Sequence, residues 1–276
     1  MSLSILNNIS SLQAQDALSM TSTNLTNTLQ QLSTGQRINS GADDAAGLAI
    51  ANGLQANVTA LTQSVQNASD GVGLLQVADG ALSQITTLLN RAVTLATEAA
   101  TGTVSDAQRT SLDAEFQSIT SEINTIGQKT TYNGAGIFTA GTMTVFMSDS
   151  SGAGTTSVGV AMVTVDAGHL NGVSLTADAL TTVAAATSAL TSINSAIADV
   201  AALRGTLGAS SNQLQAATNV MNSQITNIQS AESGIMDANI GTTTANLSKF
   251  TILQQTGIAA LQQSNSMQQS VLKLLQ

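Results

Sequence analysis

The chain has 276 residues, of which 8% are charged and 2% aromatic, and it contains neither proline nor cysteine. Without cysteine it forms no disulfide, no zinc-thiolate site and no cysteine nucleophile. The net charge of −9 and the pI of about 4.2 argue against a surface for nucleic acid or for anionic lipid. Packing alone must therefore stabilise this protein. Many small side chains and few aromatic ones favour closely packed helix-helix seams.

The N-terminal segment, residues 1–36, predicts an amphipathic helix. Asp16 is the only charged residue in this segment. Apolar residues recur in steps of three, four and seven, namely Ile5, Ile9, Leu12, Leu18, Leu25, Leu29 and Leu32. The polar positions hold Ser, Thr, Asn and Gln rather than Lys and Glu, which is unusual for a helix surrounded by water. The segment lacks the features of a Sec signal peptide, and no apolar run has the length of a membrane span.

Three further helices are predicted in the middle of the chain. The segment Ser40–Asp43 is typical of a capping box, so we expect a helix to begin near Asp44. Its apolar residues follow steps of three and four, with a phase shift at Gly71–Gly73. If unbroken, it would contain about 55 residues and be roughly 80 Å long. A second helix is expected after the capping segment Thr103–Asp106, and a third over residues 178–235.

A short β segment is predicted between the helical halves. Asn133-Gly134 is a turn signal, Met143–Met147 alternates with a period of two, and Val158–Val165 supplies a second strand. The polar, Gly-rich stretch between these strands predicts a flexible loop. The fold class is therefore mainly α: an elongated antiparallel helical bundle or coiled coil formed by the N- and C-terminal halves, with a small central β-hairpin insertion.

The C-terminal segment has the same pattern as the N-terminal one, with apolar residues at helical spacing and few charges. After Asp237 its only charges are Lys249 and Lys273, and its apolar residues are Leu247, Phe250, Leu253, Ile258, Leu261, Val271, Leu274 and Leu275. We expect both terminal segments to bury apolar faces against other copies of the chain. The predicted domains are a terminal helical core, 1–42 with 236–276, a helical rod, 43–136 with 178–235, and a variable insertion, 137–177.

One run of twenty residues, Leu32–Ala51, closely resembles the signature segment of bacterial flagellins. The resemblance covers nearly the whole chain outside residues 137–177 and continues at Gln66–Gly71, Gln76–Leu82, Tyr132–Gly134, Leu207–Asn212, Ile235–Asn239 and Ile252–Gly257. Two positions near the C-terminus depart from the family pattern. Gln268 precedes Gln269 where the family has Pro-Gln, and Asn239 replaces an acidic residue.

The resemblance implies a structural subunit, not an enzyme, with no cofactor and no metal. Paired terminal helices would form an inner tube of the flagellar filament, and the variable insertion would face outward. Such subunits form a homopolymer for swimming motility. They leave the cell unfolded, without a cleaved signal peptide, through the flagellar type III export apparatus. Chaperone, cap and junction proteins are their further partners.

The expected assembly interface consists of the terminal apolar residues together with Arg37, Asp43 and Asp44. Arg37 is either a solvated charge or an ordering contact at the junction between the terminal and central domains. The resemblance also matches Arg91, Leu95 and Glu115 to positions that a host innate flagellin receptor recognises, although Asn90 replaces the usual Gln.

Three alternative functions agree less well with the sequence. A hook-filament junction protein would share the termini. A surface adhesin or glycan-binding module would use residues 137–177, which lack the aromatic platform that a sugar site prefers. A membrane-active peptide is excluded, because the termini lack a face of Lys and Arg. His169, the single histidine, is expected to be an exposed loop residue.

Overall fold

A computed structural model of the chain describes residues 8–148, 156–168 and 174–274. In these residues it contains five α-helices, namely α1 (Ile9–Thr34), α2 (Ala45–Ala99), α3 (Asp106–Lys129), α4 (Val183–Met236) and α5 (Ile240–Leu274). Two antiparallel hairpins lie between α3 and α4 in the sequence, formed by β1 (Thr131–Tyr132) with β2 (Ala135–Gly136) and by β3 (Gly141–Met147) with β4 (Thr156–Met162). The predicted helical fold with a small central β insertion is confirmed.

The chain divides into two compact units. One contains Met1–Ala56 and Asn227–Gln276, and the other contains Asn57–Thr226. Most of the predicted loop between β3 and β4, and His169, lie outside the described residues. The three predicted domain boundaries stay predictions.

The helix starts follow from side chains that cap backbone amides. At α3 the Ser105 hydroxyl accepts from the Gln108 amide at 3.4 Å, and the Gln108 side chain accepts from the Ser105 amide at 2.9 Å. The helix begins at Asp106, as expected after the segment Thr103–Asp106, but the reciprocal capping box is formed by Ser105 with Gln108 rather than by Thr103 with Asp106. The helix α4 begins at Val183, five residues later than predicted, because Thr182 accepts from the amide of Ala185 at 3.1 Å.

The capping box predicted for α2 is wrong. An Asp43 carboxylate oxygen accepts from the amides of Asn39 and Ser40, at 3.0 and 2.8 Å, so it closes a turn before the helix. These hydrogen bonds, that of the Asn39 amide first, lower the pKa of Asp43. Asp44 caps α2 instead, since its carboxylate accepts from the Gly47 amide at 2.8 Å.

One unbroken seam runs along α2. Buried residues recur every seven positions at Leu61, Ala68, Leu75, Leu82, Leu89 and Ala96. The phase shift expected at Gly71–Gly73 is absent, because Gly71 itself occupies a buried position of the seam. A Cβ there would lie 2.8 Å from Val145 and 3.2 Å from Leu214, so only glycine admits both neighbours. The buried residues of α4 keep the same period, at Ala186, Ile193, Val200, Leu207, Leu214 and Met221.

By length and composition alone, α2 is also apolar enough to cross a membrane. Core helices of soluble proteins share these properties. The seven-residue period of its buried residues is that of a helix packed in a bundle. We therefore assign α2 to the helical core.

The hairpin of β3 and β4 packs one face on α2. Val145, Val158 and Val160 point inward and are buried. The Ser64 hydroxyl of α2 accepts from the Ser148 amide and donates to its carbonyl oxygen, both at 3.0 Å. The hairpin thereby covers the seam of α2 where Gly71 lies.

The end of α3 approaches the segment after β4 closely. A Cβ on Gly127 would overlap the carbonyl oxygen of Val165. Nearby, the Asn124 side chain accepts from the Ala167 amide at 2.7 Å, which holds this segment against the helix. The glycine therefore permits a contact between helix and backbone that any side chain would prevent.

We expect Gly127→Ala to destabilise the protein by about 2 kcal/mol, because backbone atoms must move to admit the methyl group. Gly80→Ala is the matched control, since Gly80 also lies in a helix and its Cβ would meet no atom within 4 Å. That control should stabilise the protein by about 0.5 kcal/mol. Urea unfolding of both variants measures the difference, and equal midpoints would contradict the close approach.

Candidate functional site: the paired terminal helices

The helices α1 and α5 form an antiparallel pair. Near one end, the Ser11 hydroxyl donates to the Asn265 side chain at 3.0 Å. Farther along, Leu18 faces Gly257, where a Cβ would lie 3.3 Å from the Leu18 side chain. Small residues in this position let the two helices approach closely.

A polar cluster beside the contact of Ser11 with Asn265 fixes the register at this end of the pair. The Asn8 side chain donates to the Gln268 side chain at 3.0 Å and to the Ser264 carbonyl oxygen at 3.3 Å. Its oxygen accepts from the Ser11 amide at 3.0 Å, so Asn8 also caps α1. Gln268 thus has an interhelical partner at the position where the sequence departs from the flagellin pattern.

The seam between the two helices contains small and polar side chains as well as leucines. Its shielded positions are Ser11, Ala14, Leu18, Thr21, Leu25, Thr28 and Leu32 on α1, and Thr243, Leu247, Phe250, Gln254, Gly257, Leu261, Ser264 and Gln268 on α5. Only Thr28 and Thr243 of these are fully buried. Both satisfy their hydroxyls within their own helix, by donating to the carbonyl oxygens of Asn24 and Asn239. The six large apolar side chains of the seam, Leu18, Leu25, Leu32, Leu247, Phe250 and Leu261, are therefore shielded, but none of them is fully buried.

Large apolar side chains cover the outward faces of the same pair. Nine of them are between 42% and 68% exposed, namely Ile9, Leu12, Met20, Leu29, Ile240, Ile252, Leu253, Ile258 and Met267. We call this set the outer apolar face. Exposed apolar surfaces of this kind are typical of sites of protein-protein contact.

The predicted interface residues divide between these two surfaces. Leu18, Leu25, Leu32, Leu247, Phe250 and Leu261 lie in the seam, whereas Ile9, Leu12, Leu29, Leu253 and Ile258 belong to the outer apolar face. Ile5 and Leu275, and the side chains of Val271 and Leu274, lie outside the described part of the chain. The interface prediction omitted Met20, Ile240, Ile252 and Met267. For Met20 a signal was present, because it continues the helical spacing of Ile9 and Leu12.

The helix α1 ends at Thr34 and α4 ends at Met236. Hydrogen bonds join the chain segments at these two ends, and two of them come from Arg37. Gly35 ends α1 with a φ of 73°, a conformation that suits glycine. The Arg37 amide donates to the Met236 carbonyl oxygen at 2.6 Å, and the Ala238 amide donates to that of Gly35 at 2.9 Å. The Arg37 guanidinium donates to the Ile235 carbonyl oxygen at 2.7 Å, and so caps the C-terminus of α4.

The three residues matched to the receptor epitope lie in the other unit. Arg91 and Glu115 are at the surface and form an ion pair at 2.7 Å. Leu95 is only 1% exposed and packs in the core. Receptor recognition through these residues stays a prediction.

Comparison with known proteins places this arrangement in a family. Residues 5–143 match the family described as "Bacterial flagellin N-terminal helical region", and residues 190–275 match "Bacterial flagellin C-terminal helical region". The chain belongs to the flagellin family. The matched regions contain both helices of the terminal pair.

Individual flagellins share shorter stretches with the chain. It is 47% identical to the B-type flagellin of Pseudomonas aeruginosa over 91 residues, which are 33% of this chain and 19% of that protein. It is 48% identical to the flagellin of Bordetella bronchiseptica over 84 residues, or 30% of this chain and 22% of that one. The match thus spans about a fifth of the length of these relatives. The crystal structure of Bacillus cereus flagellin matches 60% of this chain and 94% of its own, with 30% identity and a TM-score of 0.49.

We predict that Arg37→Ala impairs polymerisation of the chain without loss of helicity in residues 57–226. The substitution removes the cap on α4 and should cost about 1 kcal/mol of local stability. Seeded polymerisation and far-ultraviolet circular dichroism measure the two effects. Arg91→Ala is the matched control, because it removes an exposed arginine with a carboxylate partner from the other unit. Filament growth at the wild-type rate by Arg37→Ala would contradict the prediction.

Proposed function

We propose that this chain is a structural subunit that polymerises with copies of itself into the bacterial flagellar filament, the propeller for swimming. The observation that supports this proposal most strongly is the outer apolar face of α1 and α5. Exposure of nine large apolar side chains to water is unfavourable for a soluble monomer, whereas a polymer buries them. Membership of the flagellin family supports the same function.

The free energy available from this face is large enough for assembly. Covering the exposed half of a Leu, Ile or Met side chain contributes about 1 kcal/mol. Nine such side chains contribute of order 10 kcal/mol before the entropy cost of association. Polymerisation can therefore follow from burial of these side chains, with no cofactor and no chemical step.

The two helices offer different surfaces to a neighbour. The outward residues of α1 and those of α5 differ in sequence and spacing. A contact of α1 in one copy with α5 in another joins unlike surfaces. Where the same two copies do not also make the reverse contact, the interface is heterologous and each copy keeps one free surface of each kind. Contacts of this type that do not close give an open helical assembly.

Export and further partners belong to the same proposal. The subunit would act outside the cell, after passage through the flagellar type III apparatus, with help from chaperone, cap and junction proteins. Because no large side chain of the seam is fully buried, the pair of α1 and α5 suits a chain that must cross a narrow channel unfolded. A host innate flagellin receptor would meet the Arg91–Glu115 pair at the surface, whereas Leu95 is buried.

Electron microscopy of the purified chain after seeding tests the function. A filament subunit forms long tubes of constant diameter. A hook-filament junction protein forms short collars instead. A glycan-binding adhesin stays monomeric and binds immobilised glycan, a function that the single well-exposed aromatic side chain in the described part of the insertion, Phe146, supports poorly.

We predict that the double variant Ile9→Asn, Leu12→Asn stays folded as a monomer but loses polymerisation. Both side chains are 60% exposed, so their loss costs the isolated chain less than about 1 kcal/mol. In the polymer each lost contact weakens association by about 1 kcal/mol per subunit interface. Sedimentation after seeding measures the polymer fraction.

Val183→Asn serves as the control for this variant. Val183 is an exposed apolar residue at the start of α4, outside the terminal pair. The control should polymerise at wild-type concentrations. Equal behaviour of the control and the double variant would show that the outer apolar face does not direct assembly.

A further inference from the structure

Two single charges interrupt the outer apolar face. Among residues 9–34 and 240–270, whose side chains the structure describes, Asp16 and Lys249 are the only charged residues. Both are exposed, and neither forms an ion pair within the part of the chain described here. The Lys249 ammonium lies 5.7 Å from the centre of the Phe250 ring. Among the described residues, the pair of helices therefore carries one negative and one positive group without an oppositely charged partner.

Each charge lies within an apolar stripe. On α1, Ile9, Leu12, Asp16 and Met20 follow one another in steps of three and four, so they share the face that points away from the seam. The three apolar members of this stripe are 60% exposed or more. A neighbour that covers the stripe must also cover Asp16.

The same relation holds on α5. Ile252 and Leu253 follow Lys249 at three and four positions, which places them beside it on the helix surface. Both are exposed, at 59% and 42%. A neighbour that covers these two side chains also removes water from the ammonium group of Lys249.

The two charges cannot meet within one chain. Leu18 faces Gly257 and Ser11 faces Asn265, so Lys249 lies level with residue 26 of α1. Asp16 is ten residues from that level, which corresponds to about 15 Å along the helix. This separation exceeds the combined reach of the two side chains.

We propose that the outer stripe of α1 in one subunit packs against the outer stripe of α5 in the next, with Asp16 of one copy paired to Lys249 of the other. The inference rests on the proposed polymerisation and specifies which surfaces meet. An isolated charge in a covered apolar surface is strongly unfavourable, and an opposite charge from the neighbour removes this penalty. The signs are opposite on the two stripes, so stripes of one kind repel each other. The ion pair thereby selects the heterologous contact that an open polymer requires.

Charge exchange in the full-length chain tests the pairing. Asp16→Lys and Lys249→Glu each place like charges opposite one another, and each should raise the critical concentration for seeded polymerisation about tenfold or more. The double variant Asp16→Lys, Lys249→Glu restores opposite charges and should return to within about threefold of the wild type. Sedimentation of polymer from monomer measures all four proteins.

Glu122→Lys is the control for net charge, because Glu122 is exposed on α3 and its reversal changes the net charge as much as that of Asp16. An equal loss in this control and in Asp16→Lys, unaffected single variants, or a double variant as poor as the single ones would overturn the pairing. Failure of the wild-type chain to polymerise would overturn the proposed function instead.

A carbodiimide cross-link reports the contact directly, because this reagent joins a carboxylate to an amine only where they touch. In polymer grown from a mixture of unlabelled and heavy-isotope chains, we expect peptides with Asp16 and Lys249 joined across the two labels. The cross-link should be absent from monomer and from polymer of Asp16→Asn. A polymer that gives no mixed-label cross-link at Asp16 would contradict the pairing.

Discussion

The terminal helices depend on an unusual distribution of side chains, because large apolar residues lie on their outward faces as well as in the seam between them. In most helix pairs the apolar side chains meet in the seam and stabilise the pair. Here the seam includes Gly257, Thr28 and Thr243, while Ile9 and Leu12 face water. The contacts of the seam therefore bury only part of the apolar surface of the pair. The outward apolar side chains can be buried only against other molecules.

This distribution connects the fold to the proposed function. The seam fixes the register of α1 and α5 through specific hydrogen bonds, such as those of Asn8 with Gln268 and Ser264. Register matters because it sets the positions of the outward side chains relative to one another. The other unit has the opposite character, since Leu82, Leu89 and Phe116 are fully buried in its own core. A chain with one self-sufficient unit and one dependent unit suits a subunit that folds partly alone and completes its packing in a polymer.

The sequence predicted the helices well, because steps of three and four identify a helix whatever it packs against. It could not assign each apolar residue to the seam or to the outer face. Leu25 and Leu29 both fit a helical stripe, yet only the geometry of the pair shows that Leu25 is shielded and Leu29 exposed. The seam position of Gly71 was missed for a related reason, since a residue without a side chain gives no hydrophobic signal.

The sequence also could not predict the contacts of the two arginines that cap helices. Arg37 donates to the carbonyl oxygen of Ile235, which is 198 residues away. Arg109 donates to those of Ala99 and Thr101 at the end of α2. Backbone acceptors are the same for every residue type, so no pattern of side chains reveals them. In a chain with seven basic residues, two of them stabilise the ends of long helices.

Amide hydrogen exchange of the monomer and of the polymer tests the dependence of the terminal pair on its neighbours most directly. In dilute monomer, amides near Leu18 and Gly257 should exchange far faster than those near Leu82 in the buried seam of α2. In the polymer the exchange of the terminal amides should slow by about a hundredfold or more. Terminal helices that are protected in dilute monomer as strongly as the seam of α2 would contradict the claim that their stability comes from other subunits.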